Sequence, residues 1–290
     1  IAFVFVIFFE GSMIDITTDS CSDLSAELRK RFGIRVIPLQ VYIHGRNVRD
    51  GELSLNELFA EVQQHGELPK TSAPPMGDFI EFFDSPNEII FIGISARLSA
   101  TTPNATLAAQ ARPEGLPPVH VIDSFNLSSG IGLLVLKAAE LRDEGLSGAE
   151  IKARIEALVP KLHTTFVIDT LDYLYKGGRC SAMQHVVGSL LRIRPVIEVR
   201  PDGTLGVKEK IGGSRKKALN SILEDFSSHL PKIDLQRVFI THTGCDEDAR
   251  YLAEELRKRA EIGEIHTAYA GATIASHCGP DTIGLIYFVQ

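Results

Sequence analysis

Glu88-Ile89-Ile90-Phe91-Ile92-Gly93-Ile94-Ser95 is the stretch that decides the fold. Its apolar run does not alternate with polar residues, so both faces need cover, which is the condition of a strand inside a parallel sheet. Val119 to Ile122 reads as a second buried strand and Ile14 to Thr18 as a third. Helices fall between them. Asp23 to Phe32 has helical spacing, Ser54 with Glu57 and Ser147 with Glu150 are capping boxes, and a helix runs from about Ser128 to Leu141. Strand and helix alternate in the manner of βαβ winding. Ile34 to Ile43 is extended but interrupted by Pro38, which indicates an edge or a bulge.

The rhythm changes after about Leu162. Thr164 to Thr170 reads as a strand, and two short helical pieces surround Arg179. Arg194 to Arg200 pairs with Leu205 to Lys210 across Pro201-Asp202-Gly203, an antiparallel hairpin. Helices over Ser214 to Ser228 and Glu247 to Ala260 alternate with strands over Arg237 to Thr241, Glu264 to Ala268 and Ile283 to Phe288. The expected class is therefore α/β. A first domain (13–162) carries a mainly parallel sheet flanked by helices, and a second α/β domain (163–290) carries a mixed, partly antiparallel sheet.

Residues 1–12 stand apart. Ile1 to Phe9 is apolar but about half the length that spans a bilayer, and it lacks a basic flank. Gly11-Ser12-Met13 reads as a cloning scar before an initiator, so 1–12 is expected to be a leader, the rival reading being an added edge strand.

With 290 residues, 44% of them hydrophobic, the chain can bury a large core and has the length of about two domains. Its net charge of -7 disfavours nucleic acid as a partner. Cys21, Cys180, Cys245 and Cys278 are scattered without a Cys-x-x-Cys pair, which fits reduced thiols and a cytoplasmic location.

Four stretches carry candidate chemistry. In Gly177-Gly178-Arg179-Cys180-Ser181, two glycines bare the backbone before a guanidinium whose donor fork fits a carboxylate or phosphate. Thr71-Ser72-Ala73-Pro74-Pro75 sets two hydroxyls before a helix starting near Gly77; alone, it also reads as a cap and a rigid turn. Ser95 and Ser99 follow the decisive strand at its carboxyl end, where open α/β sheets bind ligands. Ser276-His277-Cys278-Gly279-Pro280-Asp281-Thr282 places an imidazole on a turn.

Other chemistries find less support. No phosphate loop, complete dinucleotide fingerprint or Gly-x-Ser-x-Gly elbow is present, so neither ATP, NAD nor a serine hydrolase is indicated and no cofactor is expected. His242 and Cys245 are three apart, yet two ligands do not make a metal site, and none is expected. Cys180 or Cys278 beside His277 keeps a hydrolase or acyltransferase as the alternative.

Thr71-Ser72-x-Pro74, Ile94-Ser95-x-x-Leu98-Ser99, Val121-Ile122-Asp123-Ser124, Gly177-Gly178-Arg179-x-Ser181, Glu209-Lys210 with Lys216-Lys217-Ala218, and His277-x-Gly279-Pro280 occur in one order along the chain. This order resembles that of the DegV family of fatty-acid-binding proteins, over nearly everything from Ile14 to Val289. The resemblance implies two α/β domains with one long-chain fatty acid between them, in a non-catalytic carrier that presents the lipid to a fatty acid kinase subunit for acyl phosphate formation. It also implies that Thr71 or Ser72, Ser95, Ser99, Arg179, His277 and Thr282 surround the carboxylate. Ala96, Ala100, Thr102 and Asp281 depart from the family pattern, and Asp281 would repel an anion unless it points away or pairs with Arg179. A lipid-responsive regulator is the third reading.

Charge is also segregated. Lys176, Arg179, Arg192, Arg194, Arg200, Lys208, Lys210, Arg215, Lys216 and Lys217 face only Glu198, Asp202 and Glu209 in that stretch. Through Arg215, Lys216 and Lys217 this predicts a basic face that docks an acidic kinase subunit or an anionic membrane surface, against the plain reading of a solvated face.

Overall fold

The structure, a computed structural model, describes residues 13–179 and 193–290. The leader reading of 1–12 and the nucleophile reading of Cys180 lie outside the described residues.

Strand β1 (Ile14–Asp19), β2 (Ile34–Ile37), β6 (Glu88–Gly93) and β7 (Val119–Asp123) form a parallel sheet in the order β2-β1-β6-β7. The decisive strand is thus internal, and Ile89, Ile90, Phe91 and Ile92 on it have no exposed surface. Helix α1 is shorter than the spacing predicts, Ala26–Phe32, because Asp19 caps a tight turn over Ser20–Ser22 and Ser25 then caps the helix proper.

Pro38 does more than mark an edge. It separates β2 from β3 (Gln40–Ile43), and β3 joins a different, antiparallel sheet with β4 (Arg46–Arg49) and β5 (Lys70–Ser72). A proline donates no ladder hydrogen bond, so the chain leaves one sheet there and begins the next. Helix α2 (Leu55–His65) begins at the Ser54/Glu57 capping box and ends at Gly66, which is left-handed at φ 71°. Helices α3 (Met76–Phe82) and α4 (Thr101–Gln110) pack on each other beside the parallel sheet.

After α5 (Ser129–Asp143) and α6 (Gly148–Leu158), the second sheet has six strands. They are β8 (Leu162–Val167), β9 (Ile193–Val199), β10 (Leu205–Gly212), β11 (Arg237–His242), β12 (Glu264–Tyr269) and β13 (Ile283–Phe288), in the order β10-β9-β8-β13-β11-β12. Only β11 and β12 pair in parallel. Helices α7 (Asp172–Lys176), α8 (Arg215–His229), α9 (Asp246–Arg259) and α10 (Ala272–Cys278) complete this part. The class is a mixed α/β protein with a parallel and a mixed sheet.

Helix α5 joins the two sheets. Eleven of its residues are buried, and it touches β1 and β6 on one side and β8, β11 and β13 on the other. A helix apolar all round fits only where both sides are covered. Polar ties cross the same junction: Thr164 donates to Asn126 at 2.9 Å, the Gly271 amide to Asp23 at 2.7 Å, and Arg237 to Glu140 at 3.0 Å. No helix among the described residues is long and apolar enough to cross a membrane.

Candidate functional site

A cavity of about 260 Å³ lies where α7, α10 and β5 meet the loops after β2 and β6. Its walls are apolar over most of their extent, with Leu39, Ile94, Leu98, Leu127, Leu174, Leu205 and Ile274 lining it. Thr71, Ser99, Arg179, Thr273 and His277 contribute the polar groups. A narrower void of about 30 Å³ adjoins it, sharing Leu127, Ile274 and Cys278 and reaching Phe166 and Ile286 on the six-stranded sheet. An apolar hollow with a few convergent polar groups is the usual form of a small-molecule site.

The geometry explains the two glycines. A side-chain carbon at Gly177 would lie 2.5 Å from His277 Nδ1 and 2.8 Å from the Tyr173 carbonyl, so the backbone itself closes against the imidazole. Gly178 sits at φ 70°, where a side chain is strained. The turn they form ends α7 and directs Arg179 back to the cavity. Arg179 Nε donates to the Leu98 carbonyl at 3.3 Å and Nη1 to the Gly177 carbonyl at 2.6 Å. A guanidinium has five N–H donors, so donors remain for an anion after these two anchors set its orientation.

His277 and Thr71 meet across the site, with Nε2 and Oγ1 2.8 Å apart. His277 Nδ1 and Thr273 Oγ1 are both buried with no partner among the described residues. Thr273 precedes His277 by four residues on α10, which puts both on one face of the helix. Burial holds the His277 imidazole well below its usual range, at about 4, and the nearby Arg179 charge acts in the same direction. The ring is therefore neutral at pH 7. Because its folded value lies below the unfolded one, the stability it contributes is complete above about 6.5 and is lost as pH falls towards 4. Ring-proton NMR of the protein should show a His277 midpoint near 4; a midpoint near 6.5 contradicts this environment.

The remaining candidates scatter. Thr71 on β5 and Ala73 just after it face the cavity, while Ser72 is exposed and opposite Gln40, as period-two alternation requires. Ser99 lines the cavity but its hydroxyl is 2.8 Å from Thr101 Oγ1. Ser95 is fully buried, donates to the Gly203 carbonyl at 2.9 Å and does not line the hollow; its neighbours Ile94 and Leu98 do. Thr282 donates to the Cys278 carbonyl at 2.9 Å and lines the narrow void instead. Asp281 is exposed and borders neither space. Thr273, which also lines the cavity, stands outside the Ser276–Thr282 motif, and its four-residue spacing to His277 is the one signal of it in the sequence.

Among the described residues, the competing chemistries find poor reagents. Cys278 is buried and its thiol is pushed up to about 12, so no thiolate forms near neutrality. Cys245 donates to the Thr282 carbonyl at 3.4 Å and is raised to about 11 by burial, and with His242 it belongs to no three-ligand cluster among the described residues. The basic trio is divided. Arg215 is held inside the protein by Asp248, by Asp169 at 2.9 Å and by the Asp281 carbonyl at 2.6 Å, and Lys216 lies over the Tyr251 ring. Arg215 is thus tied up by internal partners, whereas Lys216 and Lys217 are exposed.

These features define an α/β protein built on a parallel and a mixed sheet, with an apolar hollow that carries a cation, hydroxyls and a neutral imidazole at one end. The chain belongs to the DegV family: the family model described as "Uncharacterised protein, DegV family" matches residues 13–290. The DegV domain-containing protein TTE1491 of Caldanaerobacter subterraneus subsp. tengcongensis is 33% identical over 278 residues, covering 94% of this chain and 98% of the relative. A solved structure described as "Fatty Acid Binding of a DegV family Protein from Thermus thermophilus" superposes with TM-score 0.88 at 33% identity, over 96% of this chain and all of that one. Another, of DegV, "a fatty acid binding protein from Bacillus subtilis", gives TM-score 0.85 at 29% identity, over 96% of this chain and 100% of its own.

Proposed function

We propose that this protein is a non-catalytic carrier that holds one long-chain fatty acid in the junction cavity and presents its carboxylate to a separate kinase for acyl phosphate formation. The observation that carries the binding reading is the convergence of Arg179, Thr71 and His277 at one end of an otherwise apolar hollow. Burying a carboxylate without partners is costly, so a cation and donors must be in place before the ligand enters. Arg179 supplies the charge, while Thr71, Thr273 and the neutral His277 supply hydrogen bonds without competing for the proton. The tail supplies most of the affinity, at about 0.8 kcal/mol per buried methylene, or on the order of 10 kcal/mol for sixteen carbons before the costs of association. The narrow void beyond Leu127 and Cys278 gives the tail room to extend towards Phe166.

The Thermus and Bacillus relatives described as binding fatty acids support the ligand class. The handover to a kinase rests on the order of motifs that the chain shares with its family. Palmitate-loaded protein mixed with a bacterial fatty acid kinase subunit and ATP should yield acyl phosphate, trapped as the hydroxamate, in proportion to the loaded protein. Lipid binding with no hydroxamate above the free-palmitate control favours the regulator reading instead.

A further inference from the structure

Away from the lipid cavity, a second group of side chains converges at the other end of the six-stranded sheet. His163 lies near the start of β8 and pairs in register with Tyr287 on β13, whereas the cavity residues Leu174 and Arg179 follow the end of β8. Ile286 on β13 lines the narrow void, and Tyr287, the next residue, points to the opposite face of the sheet, where it packs with Leu285 and Phe226. Asp225 and His229 are spaced i, i+4 near the end of α8, the helix that packs on β8 and β9. One ligand-type atom from each of His163, Asp225 and His229 lies within 4.8 Å of the others.

We infer that His163, Asp225 and His229 form a binding site for one zinc-like divalent cation, with an open position beside the Tyr287 hydroxyl. His163 Nε2 is 2.7 Å from Asp225 Oδ2, and His229 Nδ1 is 3.9 Å from Asp225 Oδ1. Tetrahedral zinc with bonds of about 2.0–2.2 Å requires its ligand atoms about 3.3 Å apart, which lies between the two distances found. Two imidazoles and a carboxylate are a zinc-type donor set rather than a magnesium or calcium one. An i, i+4 pair on one helix opposite a third ligand on a rigid strand also limits how far the ligands must move.

The neighbours fit this role. Tyr287 Oη lies 3.3 Å from His229 Nδ1, close enough to contact water held by the ion. The His163 and His229 rings are 4.6 Å apart by centroid, and His163 is 5.0 Å from the Tyr287 ring, so the imidazoles are held by ring packing on the sheet. Lys208 now neutralises Asp225 at Oδ1, and its flexible stem lets the ammonium leave when a divalent ion arrives. His229 Nδ1 also lies 2.9 Å from the Asp225 backbone carbonyl, so on binding the hydrogens on His163 Nε2 and His229 Nδ1 pass to water while each ring's other nitrogen takes one up, and the freed lone pairs go to the ion. Spacing along the chain hides this set, because His163 and Asp225 are 62 residues apart.

The test is a titration of the purified full chain with Zn²⁺ against a chromophoric chelator. One equivalent should bind, and His229→Ala and His163→Gln should each weaken binding by about tenfold or more. Lys208→Ala, which removes the competing ammonium, should tighten it, a gain that a purely structural ion-pair network does not predict. The control is His65→Ala, because His65 stacks on His44 at 3.6 Å and lies 3.5 Å from Glu61, a surface pair that can also capture zinc. That variant should bind as the parent does. The inference is overturned if the parent takes up no stoichiometric zinc, if His65→Ala abolishes uptake, or if Lys208→Ala fails to tighten it. Lys208 bears no core packing, so its variant remains informative even if a histidine variant does not fold.

Discussion

Arg179→Ala should lower the affinity for a long-chain fatty acid roughly 30- to 700-fold, the equivalent of about 2–4 kcal/mol for stranding a buried carboxylate without its cation. Arg179 is the cation that lines the cavity, and its two carbonyl anchors, Leu98 and Gly177, fix the guanidinium in place before the ligand arrives. Arg179→Lys should recover only part of the loss, because an ammonium keeps the charge but not the planar fork. Displacement of a fluorescent fatty acid, read beside far-ultraviolet circular dichroism, separates this effect from misfolding. Equal affinities for parent and Arg179→Ala place the carboxylate elsewhere.

Phe91→Ala should destabilise the protein by about 3–5 kcal/mol, the range for emptying a buried aromatic site. Phe91 is central on β6, has no exposed surface, and meets Phe79 edge-on at 5.4 Å and Phe83 at 5.8 Å. Its ring also abuts Gly93: a side-chain carbon there would lie 2.7 Å from Phe91 Cε1 and 2.4 Å from Thr102 Oγ1. The three phenylalanines therefore fix how α3 and β6 pack, and little is free to collapse into the space. Urea unfolding should show the midpoint fall with the slope unchanged. A loss below about 1 kcal/mol shows that the cluster repacks.

The elements whose pattern is local were legible in the sequence. β6 was readable because an unbroken apolar run has only one environment, and α2 and α6 because Ser54 with Glu57 and Ser147 with Glu150 satisfy their own first turns. The hairpin of β9 and β10 announced itself through Pro201-Asp202-Gly203. The three-stranded sheet was not legible: β4 and β5 are short and largely exposed, so neither carries a hydrophobic period. Arg179, Thr71 and His277, which line the cavity together, stand out in the sequence by residue type and neighbouring glycine or proline. Ser95 and Thr282 were placed at the carboxylate although their hydroxyls are taken by the Gly203 and Cys278 carbonyls. Which acceptor a hydroxyl finds depends on chain segments about a hundred residues apart in the case of Ser95, and no local spacing records that.

Asp281 shows the same limit from the other side. The sequence places a carboxylate four residues after His277, and only the backbone, left-handed at φ 55°, shows its side chain turned to solvent and its carbonyl to Arg215. The end of the cavity that bears Arg179 and His277 is thus free of the repulsion that the sequence raised.

Native mass spectrometry of the purified protein and of Arg179→Ala tests the central claim most directly. The parent should carry a mass increment equal to one long-chain fatty acid, released intact on denaturation, and the variant should be mostly empty. A parent without lipid after exposure to palmitate, or a variant that retains the same lipid at the same occupancy, contradicts the account.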